Sequence, residues 1–458
     1  MNLKRNIVAS YASQIYITSV GILTLPLYIK YMGAEAYGLV GFFAMLQAWF
    51  ALLDLGLTPT IARETAKFRA GGYDGLYYRQ LFRALNLLFF GIAIIGGILL
   101  FFNAEAIGNH WLKIEKLSIT EVSFALQVMA ISVALRWMTG LYRGVVSGSE
   151  LLVWLSGFNA FIATLRFLVI FPVLWHFGAT PTVFFSFQLF VAIIEYCGLF
   201  LKSRSLLPKL GKAQQIGFSI KPIKNVLQFS LGIALTSGLW VLVTQTDKLI
   251  MSKLLTLEEY GYFTLAVLVA SGIMMISAPI SSSIMPRMTK LYEEGKQDEL
   301  IALYRKSTQL VTVIAGSIAI ILAGFSETIL YLWTGNKHIV ETAAPILTLY
   351  AIGYGILAVS AFPYYLQYAM GKLRLHVIGS ILYVAVLLPI LFWATEQYGM
   401  VGAGYAWVIA NITYLFGYTQ IVHNKYAPNI HLSWLVKDVF LMLTPSAIIY
   451  LLIITISG

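Results

Sequence analysis

Apolar runs of about 20 residues recur along the whole chain, parted by short polar stretches. A helix rising about 1.5 Å per residue needs about 20 residues to cross a hydrocarbon layer ~30 Å thick. The runs predict thirteen spans, roughly 7–30, 38–62, 80–102, 118–142, 151–175, 181–201, 225–252, 261–285, 303–324, 342–370, 374–395, 401–422 and 435–456. The ~10-residue alternating segments of a membrane barrel do not appear. The fold class is therefore all-α, a polytopic membrane protein. The first run follows Lys4 and Arg5, and no small-residue cleavage site comes after it, so it reads as a retained span.

The pattern repeats. Ala34-Glu35-Ala36-Tyr37-Gly38 opens an apolar stretch that leaves on Arg63, Lys67 and Arg69. Leu257-Glu258-Glu259-Tyr260-Gly261 opens a second, which leaves on Arg287 and Lys290. Glu35, Tyr37 and Gly38 match Glu258, Tyr260 and Gly261 at an offset of 223. Glu105, Ile107 and Trp111 match Glu327, Ile329 and Trp333 at 222, and Gly148 matches Gly371 at 223. Landmarks in one order at one spacing argue for a duplicated half, as in many transporters. The division that follows is a first six-helix lobe (1–201), a basic linker (202–224), a second six-helix lobe (225–423) and an extra C-terminal span (424–458), which reads as peripheral.

Composition sharpens this picture. The chain is 59% hydrophobic and 11% charged, against about 25% charged in soluble domains. With the N-terminus in the cytoplasm, 23 of the 31 Lys and Arg fall on the cytoplasmic side, five outside and three within spans. That asymmetry is the usual topology signal, so the net charge of +11 needs no nucleic acid to explain it. Six spans per lobe is an even number, so both lobes enter from the same side and the repeat is parallel. The one cysteine, Cys197, excludes a disulfide framework, and the six histidines have no metal-ligand spacing. No phosphate-cradling loop and no nucleophile elbow are present. No cofactor, metal or enzymatic activity is expected.

Ionisable groups inside spans are costly and usually functional. They are Asp54, Arg136, Arg166, Glu195, Asp247 and Lys248, with Arg143 near a span end. Arg136 and Arg143 are seven apart and share a helix face. With Arg166 they form a cationic set in the first lobe, suited to a phosphate-bearing ligand because guanidinium grips phosphate oxygens in a fork. The alternative is that these arginines bridge to Asp54 or Glu195, or snorkel. Asp54 and Arg63, nine apart, lie on roughly opposite faces of a continuous helix, so Asp54 is expected to meet a first-lobe arginine instead. Glu195 is the candidate proton-coupled carboxylate, since burial disfavours its charged form. Asp247 and Lys248 read either as interfacial snorkelling or as an outer gate or ion-coupling pair.

Gly33-Ala34-Glu35-Ala36-Tyr37-Gly38, Leu53-Asp54-Leu55-Gly56-Leu57 with Arg63, Thr246-Asp247-Lys248-Leu249-Ile250, Glu259-Tyr260-Gly261-Tyr262 and Leu332-Trp333-Thr334-Gly335 together resemble the bacterial polysaccharide flippases of the Wzx type. These belong to the multidrug/oligosaccharidyl-lipid/polysaccharide exporter superfamily. The resemblance spans about residues 1–423. It implies two lobes around a central cavity that opens alternately to either side. It implies an undecaprenyl-pyrophosphate-linked oligosaccharide, destined for O-antigen, capsule or exopolysaccharide, moved from the inner to the outer leaflet of a bacterial inner membrane. Arg136, Arg143, Arg166, Asp54 and Arg63 would meet the substrate, and Glu195, Asp247 and Lys248 would couple or gate. Membrane lipids, a polysaccharide polymerase and a chain-length regulator are the implied partners.

Two other classes compete. A cation-coupled drug exporter would want an acidic cavity, and the buried arginines speak against one. A membrane polymerase or ligase would need a large outer loop, and the longest here are about 15 residues.

Overall fold

The computed structural model describes residues 3–54, 56–72, 74–209, 217 and 221–457. Much of the predicted linker, residues 210–216 and 218–220, lies outside the described residues. No strand occurs among those described, and an isolated backbone bridge joins Lys113 to Thr256. Among the described residues, eleven helical stretches are long and apolar enough to cross a membrane. One of them, Arg374–Tyr426, runs 53 residues and is interrupted at Gly399, whose φ of 58° and ψ of −141° are not helical. It therefore holds two spans, and only glycine takes such a turn without strain. The Lys221–Leu254 helix, 34 residues long, covers the expected run 225–252. Described helices overlie each of the thirteen runs expected to span.

The chain forms two compact units. One comprises Met1–Gln245 with Thr256–Gly261, the other Thr246–Leu255 with Tyr262–Gly458. In the first unit, close backbone approach is set by glycine. A Cβ on Gly148 would lie 2.1 Å from the Ala62 carbonyl oxygen, and one on Gly144 would lie 2.4 Å from Ile61 Cγ2. The Leu57–Arg69 helix thus lies directly on the Ile119–Gly148 helix, as small residues permit between membrane helices. The two sequence motifs matched at an offset of 223 also meet in this unit. A Cβ on Gly38 would sit 2.0 Å from the Leu257 carbonyl oxygen, and one on Gly261 would sit 2.7 Å from that of Ala34. Beside them the Glu35 carboxylate accepts the backbone N–H groups of Glu115, Lys116 and Leu117 at 2.7, 2.8 and 2.9 Å. The Lys116 ammonium pairs with Glu258. The two matched acids therefore serve one short segment, 113–117, whose Lys113 carbonyl also accepts the Leu257 N–H.

One predicted span is not continuous. The run 38–62 divides into the Ala34–Phe50 helix, a 3-10 turn over Ala51–Asp54 and the Leu57–Arg69 helix. Gly56 takes the left-handed region at φ 68°. Counting turns from Asp54 to Arg63 along one helix therefore does not apply.

The second unit has an aromatic core in which Tyr350 stacks on Trp407 with ring centroids 5.5 Å apart. Phe263 meets the Tyr350 ring edge-on. Its last span, His431–Ile456, turns most of its surface outward, as a peripheral helix should. It is nevertheless pinned from within. Asp438, fully buried, takes Arg305 Nε at 2.6 Å, Arg305 Nη2 at 3.1 Å and Gln309 Nε2 at 2.6 Å. Ser317 and Ser446 share a hydrogen bond of 2.6 Å higher along the same contact.

Candidate functional site: an arginine cluster and its cavity

The Ile119–Gly148 helix carries Arg136 and Arg143, and the Pro181–Leu206 helix carries Gln188 and Glu195. Each pair is seven residues apart, hence on one face. The two faces meet in register. Arg136 Nη2 donates to Gln188 Oε1 at 3.0 Å, and Arg143 Nη2 donates to Glu195 Oε1. Both contacts span 52 residues, as a parallel helix pair requires.

The intervening helix presents Arg166 through a local irregularity. Over Leu165–Val169 the backbone widens into a π turn, a distortion that frees a carbonyl from the usual ladder. The Arg166 carbonyl accepts Gln188 Nε2 at 3.1 Å and the Tyr28 hydroxyl at 3.4 Å. Its guanidinium donates to Glu195 Oε2 at 2.9 Å. Glu195, with 6% of its side chain exposed, therefore serves two arginines at once. Arg143 adds a 2.6 Å bond to Asn159 Oδ1. Two guanidiniums share one carboxylate, a third stands beside them, and the cluster keeps an excess of positive charge.

Arg136 is the one held without a carboxylate. It makes no ion pair among the described residues. Gln47 Oε1 and Gln188 Oε1 accept from its two terminal nitrogens at 2.8 and 3.0 Å. Its carbon lies 5.0 Å above the Phe43 ring. Its Nε is buried with no hydrogen-bond partner. Amide dipoles and a π face compensate only part of a buried charge.

Arg136 also lines a cavity of about 270 Å³ within the first unit, together with Gln47, Asp54, Thr58, Trp137 and Gly140. Asp54 does not reach an arginine, contrary to the expectation from sequence. Its carboxylate instead accepts the Thr58 N–H at 3.2 Å and the Thr58 hydroxyl at 2.6 Å, because Gly56 turns the chain back and Asp54 caps the next helix. Arg63 stands apart from the cluster, 46% exposed and 3.6 Å from Glu64.

Asp247 and Lys248 do not snorkel, which corrects the interfacial reading. Asp247 has no exposed surface, accepts the Tyr350 hydroxyl at 2.7 Å and lies 3.4 Å from the Lys248 ammonium. Only 15% of the Lys248 side chain is exposed. The aromatic core of the second unit encloses the pair.

Sequence reasoning missed the amides and one ion pair. Gln47, Asn159 and Gln188 are polar interruptions of apolar runs, and that was their available signal. Asp438 and Arg305 fall at span ends and carried the same signal.

The polysaccharide biosynthesis protein family matches residues 3–292. A Shigella flexneri protein named as a candidate O-antigen transporter is 22% identical over 401 residues, which are 86% of this chain and 91% of its own. Among solved structures, the lipid II flippase MurJ in an inward closed conformation superposes with a TM-score of 0.75 at 14% identity, covering 99% of this chain and 93% of that one. An inward-facing multidrug transporter of the MATE family, from the same superfamily that the motifs suggested, superposes at 0.69 with 14% identity, covering 91% and 96%. At such identities the structural likeness speaks for the fold alone. The family match covers well over half of the sequence, and the chain belongs to the polysaccharide biosynthesis protein family.

Proposed function

We propose that this protein is a flippase that carries a lipid-linked oligosaccharide, joined to its lipid by a diphosphate, from the inner to the outer leaflet of a bacterial inner membrane. The observation that carries the reading is Arg136, a membrane-depth guanidinium with no carboxylate partner among the described residues, beside a cavity. A lone arginine at mid-membrane costs about 2.5–3.5 kcal/mol on insertion scales. An anion arriving in transit offsets that cost. Arg143 and Arg166, joined through Glu195, add to the positive field. In this reading Glu195 neutralises and positions them, while the buried Asp247–Lys248 pair is the candidate coupling or gating group. The excess of guanidinium disfavours a cationic drug as substrate. The relative's name, O-antigen transporter, supports the substrate class.

The test is transport of a fluorescent glycosylated prenyl diphosphate into the outer leaflet of proteoliposomes. Arg136→Ala should slow it by about tenfold or more, the loss of hydrogen bonds to a charged group worth about 1.5–3 kcal/mol. Full activity of the triple Arg136, Arg143 and Arg166→Ala variant would reject the reading.

A further inference from the structure

We propose that Asp54 distinguishes a glycosylated lipid diphosphate from the bare lipid diphosphate, by accepting hydroxyls of the sugar next to the phosphate. The proposal rests on the transport reading above and assigns a selectivity role within the same lobe.

The cavity is amphoteric. Arg136 stands on one wall and Asp54 on another, and the two make no ion pair with each other. Each is fixed from behind. Gln47 and Gln188 hold the guanidinium, and the Thr58 N–H and hydroxyl hold the carboxylate. Gly140 leaves the room. A Cβ there would lie 2.7 Å from Thr58 Oγ1 and 3.9 Å from Asp54 Oδ1.

Such a pair of walls ranks ligands by chemistry. An ionised carboxylate only accepts hydrogen bonds, and a guanidinium only donates them. A bare diphosphate satisfies Arg136 but is repelled by Asp54 and gives it no donor. A cation does the reverse. A neutral sugar satisfies Asp54 but brings Arg136 no charge. A glycosyl phosphate meets both demands: phosphate oxygens accept from Arg136, and ring hydroxyls donate to Asp54. A site that expects a hydroxyl discriminates strongly against an analogue that lacks it, because its own polar group is left unpaired. Asp54 would thus keep the spent carrier from competing with the loaded one.

The experiment measures binding of three ligands to purified protein in lipid nanodiscs. They are a prenyl diphosphate, the same lipid bearing one hexose, and a soluble hexose 1-phosphate. Native protein should prefer the glycosylated lipid over the bare lipid by about tenfold or more. Asp54→Asn keeps the shape and removes the charge. It should tighten bare-lipid binding and bring the ratio close to one. Arg136→Gln should weaken both lipids alike. Gly140→Ala, which crowds Thr58, should weaken the glycosylated lipid selectively and serves if Asp54→Asn does not fold. An unchanged ratio in both Asp54→Asn and Gly140→Ala overturns the proposal while leaving the transport reading intact. Failure of native protein to bind either lipid overturns both. Equal affinity for the soluble sugar phosphate overturns the assignment to a lipid.

Discussion

Gly38 and Gly261, matched in the sequence at an offset of 223, touch. Their Cα hydrogens occupy space that a Cβ on either residue would need, at 2.0 Å and 2.7 Å from main-chain oxygens. Gly91, in the same unit, has open space around it. Gly38→Ala should therefore lower the thermal midpoint, by the equivalent of about 1–3 kcal/mol for overpacking. Gly91→Ala should leave it unchanged or raise it slightly. Scanning fluorimetry in detergent compares the two directly.

Glu195 is the keystone of the first-unit cluster. Glu195→Gln keeps the shape but leaves Arg143 and Arg166 without a negative partner. Breaking a buried pair in this way costs about 3–5 kcal/mol. The triple variant Glu195→Gln, Arg143→Gln, Arg166→Met should recover much of that stability, because neither Arg143 nor Arg166 is then left as a stranded charge. A melt in which Glu195→Gln alone behaves like the native protein would show that the two bridges contribute nothing.

Arg136 should not be replaceable by lysine. Two amide oxygens on different helices accept from its two terminal nitrogens, 2.8 and 3.0 Å away. A lysine ammonium is a point charge and cannot reproduce that fork. Complementation of polysaccharide assembly in a deletion strain should fall about as far for Arg136→Lys as for Arg136→Gln.

The spans and the arginine set were legible because each is carried by one-dimensional spacing. Apolar runs of bilayer length and a separation of seven need no partner to be seen. What could not be read was partnership. Nothing in the sequence says that Glu195 lies opposite Arg143 and not Asp54, since that depends on the register of two helices far apart in the chain. The break after Asp54 had its signal in the Asp-Leu-Gly run, but hydrophobicity averaged over a window conceals a two-residue turn. Asp438 lay inside a predicted span, yet its worth appears only once Arg305 is seen to clasp it.

That clasp yields a prediction of its own. Asp438→Asn should destabilise the second unit by about 1.5–3 kcal/mol, since Arg305 and Gln309 then lose their charged acceptor. Pairing it with Arg305→Met should restore folding. Expression level and monodispersity on size exclusion separate the single from the double variant.

The widened turn at Leu165–Val169 sets the aim of everything around it. Removing an uncharged residue there would restore ordinary helical bonding and take away the local widening that presents Arg166 and its carbonyl. Arg166 would swing off Glu195, and Gln188 would lose the carbonyl it leans on. A single-codon deletion at this point should therefore do more harm than most substitutions in the same helix, although it spares every charged side chain.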